Sequence, residues 1–182
     1  MKNSGNTATI QRNREGGYKL ILPKEALKPV ECARWEAVPR RIQKDVSIDL
    51  MAIRPGTLAG RCRIQVYKNR NLIVRGKPGT LYKNLFFELN GNNMLLLHDL
   101  RMDGMGVPAL TVRGGDCWVI CQGTCSMEAT QAPYAICLDK GATGLKICCM
   151  AGSHFTGGDE PCQKRRGSST GPGIKCGFGI NR

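Results

Sequence analysis

A series of short β-prone segments, each ended by Gly, Pro or Asp, is the feature of this sequence that most constrains its fold. Within several segments, apolar and polar residues alternate with the period of two that a half-buried strand requires. In the clearest one, Cys62, Ile64 and Val66 fall on one side, whereas Arg61 and Arg63 fall on the other. Further segments lie at residues 46–52, 72–74, 94–98, 109–112, 117–124, 134–138 and 145–150. They predict a β-sheet or sandwich-like domain in which 72–74 pairs with the strand before it and the later segments form a β meander.

Residues 79–91 show a helical spacing of apolar residues instead. Five apolar side chains fall at positions i, i+1, i+4, i+5 and i+8, which form one stripe of a helix. They are Leu81, Tyr82, Leu85, Phe86 and Leu89. The sequence therefore predicts a mainly β (α+β) fold with one amphipathic helix around 80–90. The order of the segments predicts no internal repeat.

The chain of 182 residues has the size of one domain with two terminal extensions. Residues 1–17 carry few large apolar side chains and predict a flexible N-terminal arm, because little burial would offset the entropy lost on ordering. Residues 18–150 predict a single β-rich domain, and residues 151–182 predict a Gly/Ser-rich basic tail. No apolar run approaches the roughly 20 residues that span a bilayer, and the N-terminus lacks the apolar stretch of a signal peptide. We therefore expect a soluble, intracellular protein.

The positive charge of the chain is concentrated in its first half. Lys and Arg number 27 against 14 Asp and Glu, which gives a net charge of +13. Residues 1–83 hold +12 of this charge, and residues 84–182 hold +1. The stretch 55–84 contains seven basic residues and no acidic one. Charge of one sign predicts a polyanion as the partner, either RNA or ribonucleoprotein, or an anionic membrane.

The candidate polyanion-binding residues lie within that stretch. Arg61 and Arg63 stand on one strand face about 7 Å apart, twice the strand rise of ~3.3 Å, which is close to the spacing of neighbouring phosphates. Tyr67 on the same face is placed to stack on an unpaired base or to shield the sheet. A solvated charged face usually mixes signs, which this stretch does not do. The predicted set is Arg61, Arg63, Tyr67, Lys68, Arg70, Arg75, Lys77 and Lys83.

Ten cysteines raise the question of a disulfide framework or a metal site. In a reducing cytosol disulfides are not expected, and the sequence has no CxxC pair of the kind that structural zinc sites use. On predicted strands, Cys117 and Cys121 point the same way as Val119, and Cys149 points the same way as Ile147. This is typical of small buried side chains, so we expect unligated thiols, with no metal ligand and no cofactor.

The Cys117-Trp118 pair with the later His154 resembles the nucleophile segment of viral papain-like leader proteases. The resemblance implies Cys117 as the nucleophile and His154 as its base. Such a thiol sits at a helix N-terminus, where its pKa is lowered, whereas the residues around Cys117 predict a strand. The chain also lacks phosphate-loop and hydrolase motifs. We therefore expect a protein that is not an enzyme and has no catalytic residue.

The layout of the chain resembles that of the matrix proteins of plant rhabdoviruses. The shared features are the polar N-terminus, the basic β segments at 45–50 and 61–68, and one helix before further strands. The resemblance implies a structural protein of the virion and host cytoplasm that self-associates, condenses the nucleocapsid and contacts anionic membrane. The PPxY and PTAP budding signals are missing from this sequence. A jelly-roll coat protein that packages nucleic acid and a zinc-dependent RNA-binding silencing suppressor are the alternatives.

Overall fold

The computed structural model describes residues 9–12, 18–21, 28–54, 60–150, 152–157, 162–163 and 175–176. The described part contains one 3-10 helix, η1, and seventeen strands. Their bounds are β1 (Thr9–Arg12), β2 (Tyr18–Ile21), β3 (Val30–Glu31), η1 (Trp35–Ala37), β4 (Arg41–Ile42), β5 (Val46–Asp49), β6 (Cys62–Val66), β7 (Asn71–Arg75), β8 (Leu81–Lys83), β9 (Leu85–Leu89), β10 (Met94–His98), β11 (Arg101–Asp103), β12 (Leu110–Gln122), β13 (Thr124–Glu128), β14 (Ile136–Cys149), β15 (His154–Gly157), β16 (Cys162–Gln163) and β17 (Lys175–Cys176).

The strands are arranged as a β-solenoid. Apart from the antiparallel pair β1–β2, every strand pairing within the described ranges is parallel. Each of the parallel strands pairs with a strand one winding away in the chain, not with the strand that follows it. A parallel pair needs a long connection, and here the rest of one winding supplies it.

Three faces surround the interior of the solenoid. Face 1 consists of β4, β6, β9, the first parts of β12 and β14, and β16. Face 2 consists of β3, β5, β7, β10, the second parts of β12 and β14, and β17. Face 3 consists of β8, β11, β13 and β15. We call each winding of the chain around the interior a coil. Coil 1 spans residues 41–54, coil 2 61–83, coil 3 85–103, coil 4 110–128 and coil 5 136–157.

Columns of apolar side chains fill the interior. Residues that are in register on neighbouring strands stack about 4.8 Å apart and keep water out of the core. The column on face 2 is Leu72, Leu95, Val119 and Ile147. The column on face 1 is Ile64, Phe87, Leu110 and Ile136. All eight side chains are buried, and each contributes about 1.5–3 kcal/mol relative to an exposed position.

Trp35 of η1 covers the N-terminal end of this core. Its ring meets that of Tyr82 edge to face, with centroids 6.0 Å apart and planes at 83°. The Tyr82 hydroxyl donates to the Leu50 carbonyl at 3.1 Å and accepts from the Lys77 amide at 2.9 Å. Both rings are buried. A solenoid needs such a cap, because its first coil otherwise exposes the interior.

The predicted helix around 80–90 is wrong, because residues 81–89 form β8 and β9. Asn84 stands between the two strands with φ of 60°, which turns the chain through a corner. The corner shifts the alternation, so that Tyr82 and Leu85 both point inward. Phe86 points outward and is nevertheless only 9% exposed. The apolar residues of two strands joined by a corner thus have the same sequence spacing as one apolar stripe of a helix.

The mainly β class and most of the predicted strand segments are confirmed, whereas the strand pairing predicted from the sequence is wrong. Strand β7 pairs with β5 and β10 and not with β6. The later strands are parallel and do not form a meander, and parallel coils replace the sandwich and exclude the antiparallel jelly roll. Equivalent residues also recur 23 to 28 positions apart, as in Leu72, Leu95, Val119 and Ile147, so a repeat is present.

The two predicted extensions fall mostly outside the described residues. Of the arm at 1–17 only Thr9–Arg12 is described, as a strand antiparallel to Tyr18–Ile21. Of the tail at 151–182 the structure describes β15, β16, β17 and residues 152–153. No helix in the described ranges has the length and apolar character that a membrane crossing needs.

Candidate nucleic-acid interface

The seven basic residues predicted to contact a polyanion all belong to coil 2 and go around it. Two lie on face 1, two in the corner that leads to face 2, one at the end of face 2, one in the next corner and one on face 3. In that order they are Arg61, Arg63, Lys68, Arg70, Arg75, Lys77 and Lys83, and all are exposed. We call this ring the basic belt. Tyr67, also predicted to bind, is half-buried beside Lys68.

The predicted strand face is confirmed for Arg61 and Arg63. Both flank the inward-pointing Cys62, which is buried. The other basic residues point in different directions because residues 61–83 make one complete winding. The belt is therefore a property of the coil and not of one sheet.

Carboxylates near the belt are engaged elsewhere. Asp45 accepts a hydrogen bond from the Asn71 amide at 2.9 Å, and Asp49 accepts one from the Met51 amide at 2.8 Å. Among the described residues, Arg63 alone of the belt forms an ion pair, 3.7 Å from Glu88, whose nearer partner is Arg113 at 2.9 Å. Lys83 lies in register beside Asp103. Within the part of the chain that the structure describes, most of the belt charge thus faces solvent without a partner carboxylate.

Charge changes sign along the solenoid axis. Residues 61–83 hold seven basic side chains and no acidic one, whereas residues 84–130 hold two basic and five acidic side chains. Neighbouring coils stack about 4.8 Å apart, so this change occurs within a few ångströms along the axis. The N-terminal coils therefore carry a positive potential that the middle coils do not share.

A groove of about 770 Å³ opens on face 1 next to the belt. Its floor consists of outward side chains from β6, β9, β12 and β14, and its wall consists of loops 106–108 and 132–134. The lining residues are Arg61, Arg63, Phe86, Glu88, Gly106, Val107, Pro108, Thr111, Arg113, Ala132, Pro133, Tyr134, Cys137 and Asp139. The groove therefore crosses coils 2 to 5 and shares Arg61 and Arg63 with the belt.

An arginine between two carboxylates lies on the groove floor. Arg113 Nη2 donates to Glu88 Oε1 at 2.9 Å, and its Nη1 donates to Asp139 Oδ2 at 2.6 Å. The hydrogen bond with Glu88 raises the pKa of Arg113, so the guanidinium keeps its charge. The Arg113 side chain is 47% exposed, whereas that of Glu88 is 9% exposed. Donor and acceptor groups thus face the groove side by side.

No local sequence pattern marks this groove. Glu88, Arg113 and Asp139 come from three coils, 25 and 26 residues apart. Tyr134, which is 39% exposed, follows a Pro, and its sequence context is that of an ordinary loop residue. The usable signal was the spacing of 23 residues between rows of face 1, as in Gln65, Glu88 and Thr111.

The cysteines behave as the alternation predicts. Cys117 and Cys121 point into the interior and are fully buried. Burial raises the pKa of Cys117, which is opposite to what a thiolate nucleophile requires. His154 lies exposed on face 3, on a strand that pairs with β13, so the described structure does not bring it to Cys117 as a base. Within the described ranges, no group of three or more His, Cys, Asp or Glu residues is arranged to hold a metal.

Comparisons of the chain with models of known families, with curated proteins and with solved structures find no match. Two features of the described residues bear on function. They are the basic belt of coil 2 and the groove of face 1, which meet at Arg61 and Arg63.

Proposed function

We propose that this protein binds single-stranded RNA, free or in ribonucleoprotein, through the basic belt and acts as a structural protein and not as an enzyme. The observation that carries the proposal is the ring of seven exposed basic side chains on a coil with no acidic residue. Phosphate contacts of this kind release counterions and dominate nucleic-acid affinity. The belt needs no particular base sequence, so binding along it is sequence-tolerant.

The shape of the belt favours RNA over an anionic membrane. A flat surface meets one side of coil 2 at a time, so it contacts two or three of the seven charges. A flexible single strand bends around the coil and contacts more of them. An electrostatic attraction grows with the number of contacts, so RNA is the better match. Binding to anionic vesicles that equals binding to RNA would contradict this choice.

The division of charge along the axis supports a structural role. Coils 3 and 4 lack the excess positive charge that makes the N-terminal coils of two copies repel each other. We expect copies to associate through the less charged coils while their belts turn toward the RNA. A matrix-like role in a virion, in the host cytoplasm, is the finer proposal. It rests on the layout of the chain and on this division of charge.

The test is the salt dependence of RNA binding. If four to six belt residues contact phosphates, the log–log slope of affinity against salt is roughly −3 to −4 for single strands. Arg61→Glu with Arg63→Glu, and separately Arg75→Glu with Lys77→Glu, should each weaken binding and reduce the slope by about 1.4. Fluorescence anisotropy with a labelled unstructured RNA of 20 nucleotides measures both quantities.

The matched control is Lys28→Glu with Lys140→Glu. Both residues are exposed and lie outside coil 2, and the pair changes the net charge by the same amount. We expect its slope to stay within 0.5 of the unmodified protein. Equal losses in the control and the belt variants would show that binding follows net charge and not the belt. Light scattering provides a second readout, since RNA should promote assembly, and a protein that stays monomeric with RNA would contradict the structural role.

A further inference from the structure

The groove on face 1 has the dimensions of a short segment of single-stranded nucleic acid. It crosses four coils, which gives a length of ~14 Å at the ~4.8 Å spacing of neighbouring strands. Its volume is about 770 Å³. The groove runs parallel to the solenoid axis and starts at the belt. A single-stranded RNA that extends from the belt along face 1 would therefore enter the groove.

The end of the groove nearest the belt is suited to phosphate. Arg61 and Arg63 line this end and are both exposed. Arg40 Nη1 donates to the Arg61 carbonyl oxygen at 3.0 Å, which brings a third guanidinium to the same edge. Guanidinium groups bind phosphate oxygens through paired N–H donors.

The wall of the groove is suited to a base. Tyr134 is 39% exposed, and Val107, Pro108 and Pro133 line the same side. An exposed tyrosine among prolines offers a flat apolar surface on which an unpaired base stacks. Tyr134 is thus positioned to stack on a base in this groove.

We propose that the groove binds unpaired nucleotides and prefers guanine beside Arg113 and Asp139. The inference rests on the RNA binding proposed above. Guanine carries two adjacent donors, N1–H and N2–H₂, that match a carboxylate, and two acceptors, O6 and N7, that match an arginine. Adenine, cytosine and uracil each place an acceptor beside the donor that would face the carboxylate. The neighbouring Arg113 and Asp139 on the groove floor therefore select guanine.

The experiment measures the binding of labelled trinucleotides of G, A and U by fluorescence anisotropy at low salt. We expect the G trinucleotide to bind at least about fivefold more tightly than the A or U trinucleotide. Asp139→Asn should reduce this preference to less than twofold. Tyr134→Ala should weaken all three, and Tyr134→Phe should restore them because it keeps the ring.

The matched control is Glu128→Gln, which removes a carboxylate paired with Arg101 at 3.7 Å on face 3, outside the groove. It should leave the guanine preference intact. Equal binding of all three trinucleotides, unaffected by Tyr134→Ala, would overturn the groove proposal. The RNA-binding proposal would still stand in that case if the 20-nucleotide RNA showed the expected salt slope. If the unmodified protein did not bind the 20-nucleotide RNA at all, the proposal that the belt binds RNA would itself be refuted. A guanine preference that Asp139→Asn does not change would also overturn the proposal.

Discussion

Asn93 holds the corner between faces 1 and 2, and its replacement tests how the coils are joined. Its Nδ2 donates to the carbonyl oxygens of Tyr67 and Arg70, each at 2.7 Å, and its Oδ1 accepts from the Gly91 amide at 2.8 Å. The residue is 2% exposed. Asn93→Ala removes these three bonds, together with the weak contact from Cys117 Sγ at 3.9 Å, and leaves their partners in a closed corner. At a net value of about 1 kcal/mol for each bond, the free energy of unfolding should fall by about 3 kcal/mol.

Urea denaturation followed by tryptophan fluorescence measures this loss. The comparison variant is Asn71→Ala, at the half-buried start of β7, which gives up bonds to the Met94 amide at 3.1 Å and to Asp45 at 3.3 Å. Because these bonds are longer and water can replace them, we expect a loss of about 1 kcal/mol. A loss for Asn93→Ala below about 1 kcal/mol, or no greater than that for Asn71→Ala, would refute the reasoning.

Two further predictions concern acid stability and thiol reactivity. Burial alone would raise the pKa of Asp103, but hydrogen bonds from Thr130 and the Met105 amide hold it below its ordinary 3.8. Its contribution is therefore present above that ordinary pKa and is lost as the pH falls through the lower folded value. Thermal melts at low pH should show a flatter acid decline for Asp103→Asn, and equal declines would contradict this. Burial raises the pKa of Cys62 to about 11 and also raises that of Cys117, so a thiol reagent at pH 8 should label both only on unfolding. Rapid labelling of either in the folded protein would contradict that expectation.

Strand positions could be predicted because alternation is a local property. The segment at Met94–His98 has the predicted bounds, and Cys62–Val66 shows its inward and outward residues as expected. The corner at Asn84 misled the prediction because a residue with φ of 60° shifts the alternation without a Gly or Pro to mark it. Local patterns therefore locate strands but not the corners between them.

Strand pairing could not be predicted because the coils differ in length. Leu72 and Leu95 are 23 residues apart, whereas Val119 and Ile147 are 28 apart, so no fixed period repeats in the sequence. The same irregularity hid the groove, whose charged residues meet only after several windings. The belt was visible as a run of charge, but its shape required knowledge that residues 61–83 form one coil.

A charge arranged as a belt also governs how an encounter begins. Docking of two specific patches is slow because both partners must arrive in the right orientation. Coil 2 presents basic side chains on or beside all three faces, so rotation of the protein about its long axis leaves some of them facing the partner. Only the tilt of the axis has to be right. If the protein binds RNA as proposed, one of the rotational searches that usually limits association is shortened, and the protein can turn about its axis on the RNA without releasing it.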